Sequence, residues 1–205
     1  MSHTPGIRQA QKQQSRRALL DAALGLLEHQ NLSGLGVREV TREAGLSPAA
    51  FYRHFADLSE LAVVLVEESL ASLHGLVRSV LAEQGGPEAR IDRTVDVIAD
   101  HVRAHRAHVR FLSRERHGGV RAVREAIAAE LDRFTAEVAA GLAAQPASGG
   151  WSPDDLRMLS RLYVEHLVAT AAALLEASPD GEPRIAAMAR TQLRLIAVGR
   201  AHWRD

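Results

Sequence analysis

Apolar residues in this chain recur at three- and four-residue steps, and almost no stretch alternates with the period of two that a strand requires. Leu19, Leu20, Ala23, Leu26 and Leu27 mark a first helix over residues 12–30, followed by a loop at 31–36. Two short helices are expected at 37–44 and 48–54. A long one over 58–83 is stopped by Gly85-Gly86-Pro87. Helices at 88–104 and 106–116 follow, and His117-Gly118-Gly119 breaks the pattern again. The next helix, 120–144, runs into a loop of small residues at 145–150. Ser152-Pro153 reads as an N-cap and first-turn proline opening a helix that reaches about Ala177. Ser178-Pro179-Asp180-Gly181 is a turn, and a last helix covers 183–200. The pattern predicts an all-α fold of about nine helices.

Composition agrees. Aromatics are only 4% of the 205 residues, so the core must be built from Leu, Val, Ile and Ala, of which Leu and Ala are strong helix formers. The net charge is zero, but its distribution is uneven: the first 17 residues carry Arg8, Lys12, Arg16 and Arg17 and no acid. Such an arm suits phosphate contacts, although a solvated, frayed terminus explains it equally well. There are no cysteines, which removes disulfides, thiolate metal sites and cysteine nucleophiles. The basic N-terminus has no apolar segment behind it and no long uninterrupted apolar run occurs, so a cytoplasmic protein without a membrane partner is expected.

The segment 37–55 carries the most specific chemistry. Val37, Val40, Ala44 and Leu46 supply an inward face. Gly45 stands where the first short helix must end, and Ser47-Pro48 caps and starts the second. A helix, a tight glycine turn and a capped short helix make a helix-turn-helix. In the second helix Phe51 and Phe55 point inward, which leaves Ala49, Ala50, Tyr52, Arg53 and His54 outside. Small residues at its start allow close approach to base edges, Arg53 reaches guanine, and Tyr52 and His54 reach phosphates. A helical hairpin with a purely structural task would rarely expose Tyr, Arg and His together.

These residues resemble the TetR family of bacterial regulators. The likeness runs from Arg17, Leu20, Ala23 and Leu26 through Val37-Arg38-Glu39-Val40 and Ala44-Gly45-Leu46-Ser47. It continues over Phe51-Tyr52-Arg53-His54-Phe55 and Asp57, Glu60 and Leu61. It implies a DNA-binding domain at 1–57, with three helices, and a helical effector-binding and dimerisation domain at 58–205. The DNA-contacting set implied is Arg17, Arg38, Ser47, Ala49, Ala50, Tyr52, Arg53, His54 and Ser59. The family usually has a lysine at the last of these positions, so Ser59 offers a weaker phosphate contact. The partners implied are palindromic operator DNA and a second copy of the chain.

Arg38-Glu39-Val40 through Phe55, Asp57-Leu58-Ser59-Glu60-Leu61 and Phe111-Leu112-Ser113-Arg114-Glu115-Arg116 further resemble the FabR/DesT-type repressors of unsaturated fatty-acid synthesis and desaturation. That likeness implies a long-chain acyl-CoA effector and no other cofactor. Candidate ligand contacts are then Leu70, Leu73, Val77, Val95, Ile98, Val102, Phe111, Leu131, Phe134, Val138 and Leu167 for the acyl chain. Arg114 and Arg116, within a cluster with Arg110, Arg121 and Arg124, are candidates for the CoA phosphates. A bundle core and a solvated helix face account for the same residue types. One stripe through Ile185, Met188, Ala189, Gln192, Leu193 and Ile196, with another through Leu159, Tyr163, His166, Thr170 and Leu174, is the expected dimer surface.

Other functions find less support. His101, His105 and His108 have a spacing that suits a metal, but no carboxylate shares their stripe, so a polar helix face is the reading adopted and no metal is expected. Paired catalytic carboxylates, a nucleophile motif and a phosphate-cradling glycine loop are all missing, so no enzyme is expected. A regulator of an efflux or catabolic operon, sensing another hydrophobic compound, remains the alternative.

Overall fold

The computed structural model describes residues 4–83, 85–145 and 148–202. Among them all regular structure is helical: α1 (Thr4–Leu26), a 3-10 turn (Leu32–Gly34), α2 (Val37–Glu43), α3 (Pro48–Phe51), α4 (Leu58–Leu81), α5 (Gly86–Ala104), α6 (Arg106–Glu115), α7 (Arg121–Ala143), α8 (Pro153–Glu176) and α9 (Glu182–Ala201). Helices α4 to α9 lie within a few residues of their expected bounds. Two others differ. The basic N-terminal stretch is no separate arm: α1 begins at Thr4 and ends at Leu26, so Arg8, Lys12, Arg16 and Arg17 lie on its early turns. Helix α3 is a single turn, closing at Phe51 rather than at residue 54, and His54 and Phe55 both donate their main-chain N–H to the Phe51 carbonyl.

The chain divides into two compact units at places other than 57/58. The N-terminal unit comprises residues 1–69 and 110–127, and the C-terminal unit residues 70–109 and 128–205. Helices α4, α6 and α7 each begin in one unit and end in the other.

In the N-terminal unit the buried residues are Leu19, Leu20, Ala23 and Leu27 of the α1 segment, Val40, Phe51 and Phe55, and Leu61, Leu65 and Val66 of α4. Val123, Ile127 and Phe111, from the second stretch of this unit, are buried as well. The turn from α2 to α3 is built as its residues dictate. Gly45 has φ +66°, its N–H reaches the Arg42 carbonyl, and the Leu46 N–H reaches the Thr41 carbonyl at 2.8 Å. This pair of bonds closes α2 in a Schellman motif, which needs a left-handed residue at that position. Ser47 then accepts the Ala50 N–H on its Oγ at 3.3 Å, and Pro48 takes the first position of α3.

In the C-terminal unit α5, α8 and α9 pack together. Ile91 and Val95 meet Ala189 and Leu193, with Tyr163 and Leu167 beside them. Val102 and Val109 meet Leu174 and Leu175. Leu142 of α7 meets Leu156 and Leu159. Helix α8 starts with a reciprocal capping box between Ser152 and Asp155. By length and composition α8 is long and apolar enough to cross a membrane; its buried leucines, Leu156, Leu159, Leu174 and Leu175, belong to the clusters just described. Of the loop at 145–150, residues 146 and 147 lie outside the described residues.

Candidate DNA interface and effector cavity

On the N-terminal unit, Tyr52 is 61% exposed, and Arg38, Ser47, Ala49 and Arg53 are exposed too. Ala50 is not: at 3% exposure it belongs to the core with Phe51. A single turn of helix packed through Phe51 and Phe55 buries its third residue too, so the small outward residue of α3 is Ala49. His54 is half-buried, and its Nδ1 is shielded from water with no partner. Its pKa is held below the usual imidazole value by burial first, then by the positive charges of Lys12, Arg53 and Arg16. The cations of α1 therefore act on the same locality as the Arg53 side chain, which is a field suited to phosphates. Arg42, exposed four residues after Arg38 and on the same face of α2, adds to this basic surface; the sequence reading had passed over it.

Arg17 and Ser59 are less free than expected. Arg17 bonds Glu68 and Asp21, both at 2.9 Å. Ser59 lies in the first turn of α4, where the Asp57 carboxylate accepts the Glu60 N–H at 2.9 Å and the Glu60 carboxylate accepts the Ala56 N–H. Two carboxylates at a helix N-terminus occupy donors and oppose a phosphate there. Arg16 sits 5.5 Å over the Phe55 ring, a cation–π contact that fixes its stem.

The C-terminal unit contains a cavity of about 270 Å³. Leu73, Leu76, Val77, Val80 and Leu81 of α4 form one wall. Ile91, Thr94, Val97 and Ile98 of α5, Val138 and Leu142 of α7, and Tyr163 and Leu167 of α8 form the others, with Leu193 and Ala197 of α9. Arg90, Gln145 and Arg200, with Thr94 and Tyr163, are its polar lining residues. Of the residues proposed to contact an acyl chain, Leu73, Val77, Ile98, Val138 and Leu167 line this cavity. Leu70, Val95, Val102, Leu131 and Phe134 do not: Val95 and Val102 are core residues, and Phe134 stacks on His74 with ring centres 4.2 Å apart.

Phe111, Arg114 and Arg116 belong to the N-terminal unit, where Phe111 is a core residue. The arginine cluster is engaged by the protein itself. Arg114 donates to the main-chain carbonyls of Leu27 and Glu28, Arg124 to that of Gly118, Arg121 pairs with Glu125, and Arg110 approaches Glu28 at 3.8 Å. Arginines satisfied by main-chain carbonyls close helix and loop ends rather than await phosphates.

Of the expected dimer stripe, Ala189, Leu193, Leu159, Thr170 and Leu174 are buried within the unit and Met188 is exposed. Met158 and Leu162 of α8 and Leu195 and Val198 of α9, which the expected stripe did not include, are further large apolar residues left exposed. His101 and His105 meet with tilted rings 4.7 Å apart, and His105 and His108 meet edge-on at 5.9 Å. Among the described residues no cluster of His, Asp and Glu is arranged to hold a metal ion.

The model for bacterial regulatory proteins of the tetR family matches residues 19–63, and that for the tetracyclin repressor-like C-terminal domain matches residues 87–199. Solved structures of the same fold include the regulator FadR from Bacillus subtilis in complex with stearoyl-CoA. That match has a TM-score of 0.70 and 14% identity, and covers 88% of this chain and 96% of FadR. AibR in complex with isovaleryl coenzyme A and operator DNA matches with a TM-score of 0.64 and 16% identity, over 87% of this chain and 97% of AibR. NalD, the secondary repressor of the MexAB-OprM multidrug efflux pump in Pseudomonas aeruginosa, matches with a TM-score of 0.65 and 20% identity, over 93% of this chain and 97% of NalD. At these identities the likeness is one of fold. With both family models matched in order, and a helix-turn-helix within the first matched segment, the chain belongs to the TetR family of ligand-responsive, DNA-binding transcriptional regulators.

Proposed function

We propose that this chain is a homodimeric repressor that binds a palindromic operator through α3 and responds to a long-chain acyl effector. On this reading it controls genes of unsaturated fatty-acid synthesis or desaturation. The observation that carries the reading is the apolar cavity enclosed by α4, α5, α7, α8 and α9, whose polar groups are few. That FadR and AibR were solved with acyl-CoA ligands supports the same ligand class for this chain. The desaturation branch rests on the resemblance of residues 38–61 and 111–116 alone.

The contact set proposed for DNA is Arg38, Arg42, Ala49, Tyr52 and Arg53, with the α1 cations Lys12 and Arg16 beside them. Two copies joined through the exposed apolar residues of α8 and α9 would present two α3 helices to half-sites about one helical turn (~34 Å) or a multiple of it apart. Helix α4 starts directly after the helix-turn-helix and its later turns line the cavity, so an effector that favours one setting of α4 shifts the population competent for DNA.

A second reading, a regulator of an efflux or catabolic operon that senses another hydrophobic compound, is favoured by the likeness to NalD. Mass spectrometry of the compound that co-purifies with the protein separates the two, because an acyl-CoA carries a recognisable nucleotide. Selection of genomic fragments with and without oleoyl- and palmitoyl-CoA then tests the regulatory claim. Enrichment of fragments next to lipid-synthesis genes, altered by either thioester, is expected. Indifference to both would remove the acyl reading.

A further inference from the structure

The cavity of the C-terminal unit is apolar along α4 and cationic at Arg90 of α5 and Arg200 of α9. Three other arginines on these two helices have carboxylate partners, Arg190 with Asp92 and Asp96, Arg194 with Glu88 and Asp92, and Arg103 with Asp100, while Arg93 and Arg184 are exposed to water. The cavity pair differs. Arg90 donates to the Glu83 main-chain carbonyl at 3.2 Å; Arg200 donates to the Gln145 amide oxygen at 3.1 Å and to the Ser148 hydroxyl. These partners are neutral. The Nε of both arginines and the Gln145 Nε2 are shielded from water with no acceptor.

The electrostatics agree with the geometry. Arg200 has its pKa lowered by burial first and by the charge of Arg90, and the one group acting to raise it is the Tyr163 phenol. Tyr163 in turn feels both cations, although burial raises its pKa overall. Two guanidinium groups and a phenol thus converge at a poorly hydrated site with donors to spare. Half-buried cations with shielded, unpaired donors are stabilised when an anion joins them.

We propose that Arg90, Arg200 and Tyr163 form an anion clamp, and that the effector is an amphipathic acid. Its carboxylate would sit at the clamp and its apolar body along Leu73, Leu76, Val77 and Val80. The proposal rests on the reading of this cavity as the effector site and specifies the head group. It differs from a site for the CoA phosphates, since a thioester carries no charge next to its acyl chain. A guanidinium fork and a phenol O–H match the oxygens of a carboxylate.

The test measures binding of oleate, oleyl alcohol and oleoyl-CoA to the full chain and to its Arg200→Gln, Arg90→Gln and Tyr163→Phe variants, with circular dichroism reporting folding. Oleate is expected to bind at least tenfold more tightly than oleyl alcohol. Arg200→Gln or Arg90→Gln should bring oleate to the level of the alcohol and leave the alcohol unchanged. Tyr163→Phe should weaken oleate several-fold, and it decides the matter should either arginine variant fail to fold. Equal binding of oleate and alcohol, or equal weakening of both by the variants, overturns the clamp. Tight oleoyl-CoA binding insensitive to both arginines, without oleate binding, overturns the clamp and leaves the acyl-CoA reading standing. Oleate binding through the arginines without oleoyl-CoA binding supports the clamp and removes acyl-CoA as effector. Failure of all three compounds to bind overturns both.

Discussion

The Leu32 main-chain N–H donates to Glu115 Oε1 at 3.0 Å, joining groups 83 residues apart in the chain, and both residues are almost fully buried. Two turns of sequence do different work here: Glu115 ends α6, and Leu32 opens the 3-10 turn before the helix-turn-helix. Gly118 lies against the Glu115 side chain so closely that a Cβ would collide with its carboxyl. Loss of the acceptor leaves a buried N–H unpaired, at a cost of about 1–3 kcal/mol. Glu115→Ala and Gly118→Ala should therefore both lower the melting temperature, and Glu115→Gln, which keeps an acceptor, should lower it less. Equal melting of all three variants and the wild type would show that the bond contributes nothing.

Gly45 needs its left-handed backbone but not its lack of bulk, since no atom beyond its own chain neighbours lies within 4 Å of where its Cβ would be. Gly45→Ala should cost about 1–2 kcal/mol through backbone strain alone, and Gly45→Asn less, because asparagine tolerates that region. Thermal denaturation checks the order Gly, Asn, Ala.

How much of this was legible in the sequence follows from the range of the interactions involved. The helix-turn-helix was readable because Gly45, Ser47 and Pro48 act on their own neighbours. Ala50 was misassigned because whether one turn of helix buries its third residue depends on what packs against it. Arg114 resembled a phosphate ligand because its acceptors, the Leu27 and Glu28 carbonyls, lie more than 80 residues away in the chain. The cavity was the least legible feature. Val77 lines it and Val95 is core, yet both are apolar residues on amphipathic helices. Arg200 drew no reading from the sequence, because nothing local marks it as lacking a carboxylate.

Arg53 and Tyr52 should separate specificity from general affinity. Both are exposed on the segment after α3, where a side chain reaches either a base edge or a phosphate. Arg53→Ala should cost about 1–3 kcal/mol in operator binding and relax preference at one base pair. Tyr52→Phe should weaken all sequences alike. Binding to an operator and its single-base variants distinguishes the two effects, and unchanged affinity in both variants would remove this segment from the interface.

His101 makes stability fall with acid. Burial first, then His105 and His108, lowers its pKa from 6.5 to about 4. Below the unfolded value the denatured chain takes up a proton that the folded chain refuses, so stability is retained above pH 6.5 and lost as pH falls towards 4. The slope from one such group is about 1.4 kcal/mol per pH unit at most. His101→Gln should flatten the fall in melting temperature between pH 6.5 and pH 4.5 relative to the wild type. Parallel curves would mean that the histidine titrates normally.

Leu195, 72% exposed, shares one face of α9 with Met188 and Val198, while Met158 and Leu162 are exposed on α8. Large apolar side chains left in water at helical spacing on adjacent helices need a partner surface, and a two-fold contact supplies one from the same residues. Leu195→Glu places a charge in that contact without touching the buried Leu193 or Ala189. Sedimentation is expected to report a dimer for the wild type and a monomer for the variant, with the helical circular dichroism signal retained. Operator affinity should fall on the order of 100-fold, because each half-site must be bound alone once the linkage between the two copies is lost. A variant that stays dimeric would move the interface elsewhere, and one that becomes monomeric yet keeps full operator affinity would show that a single copy reads the site.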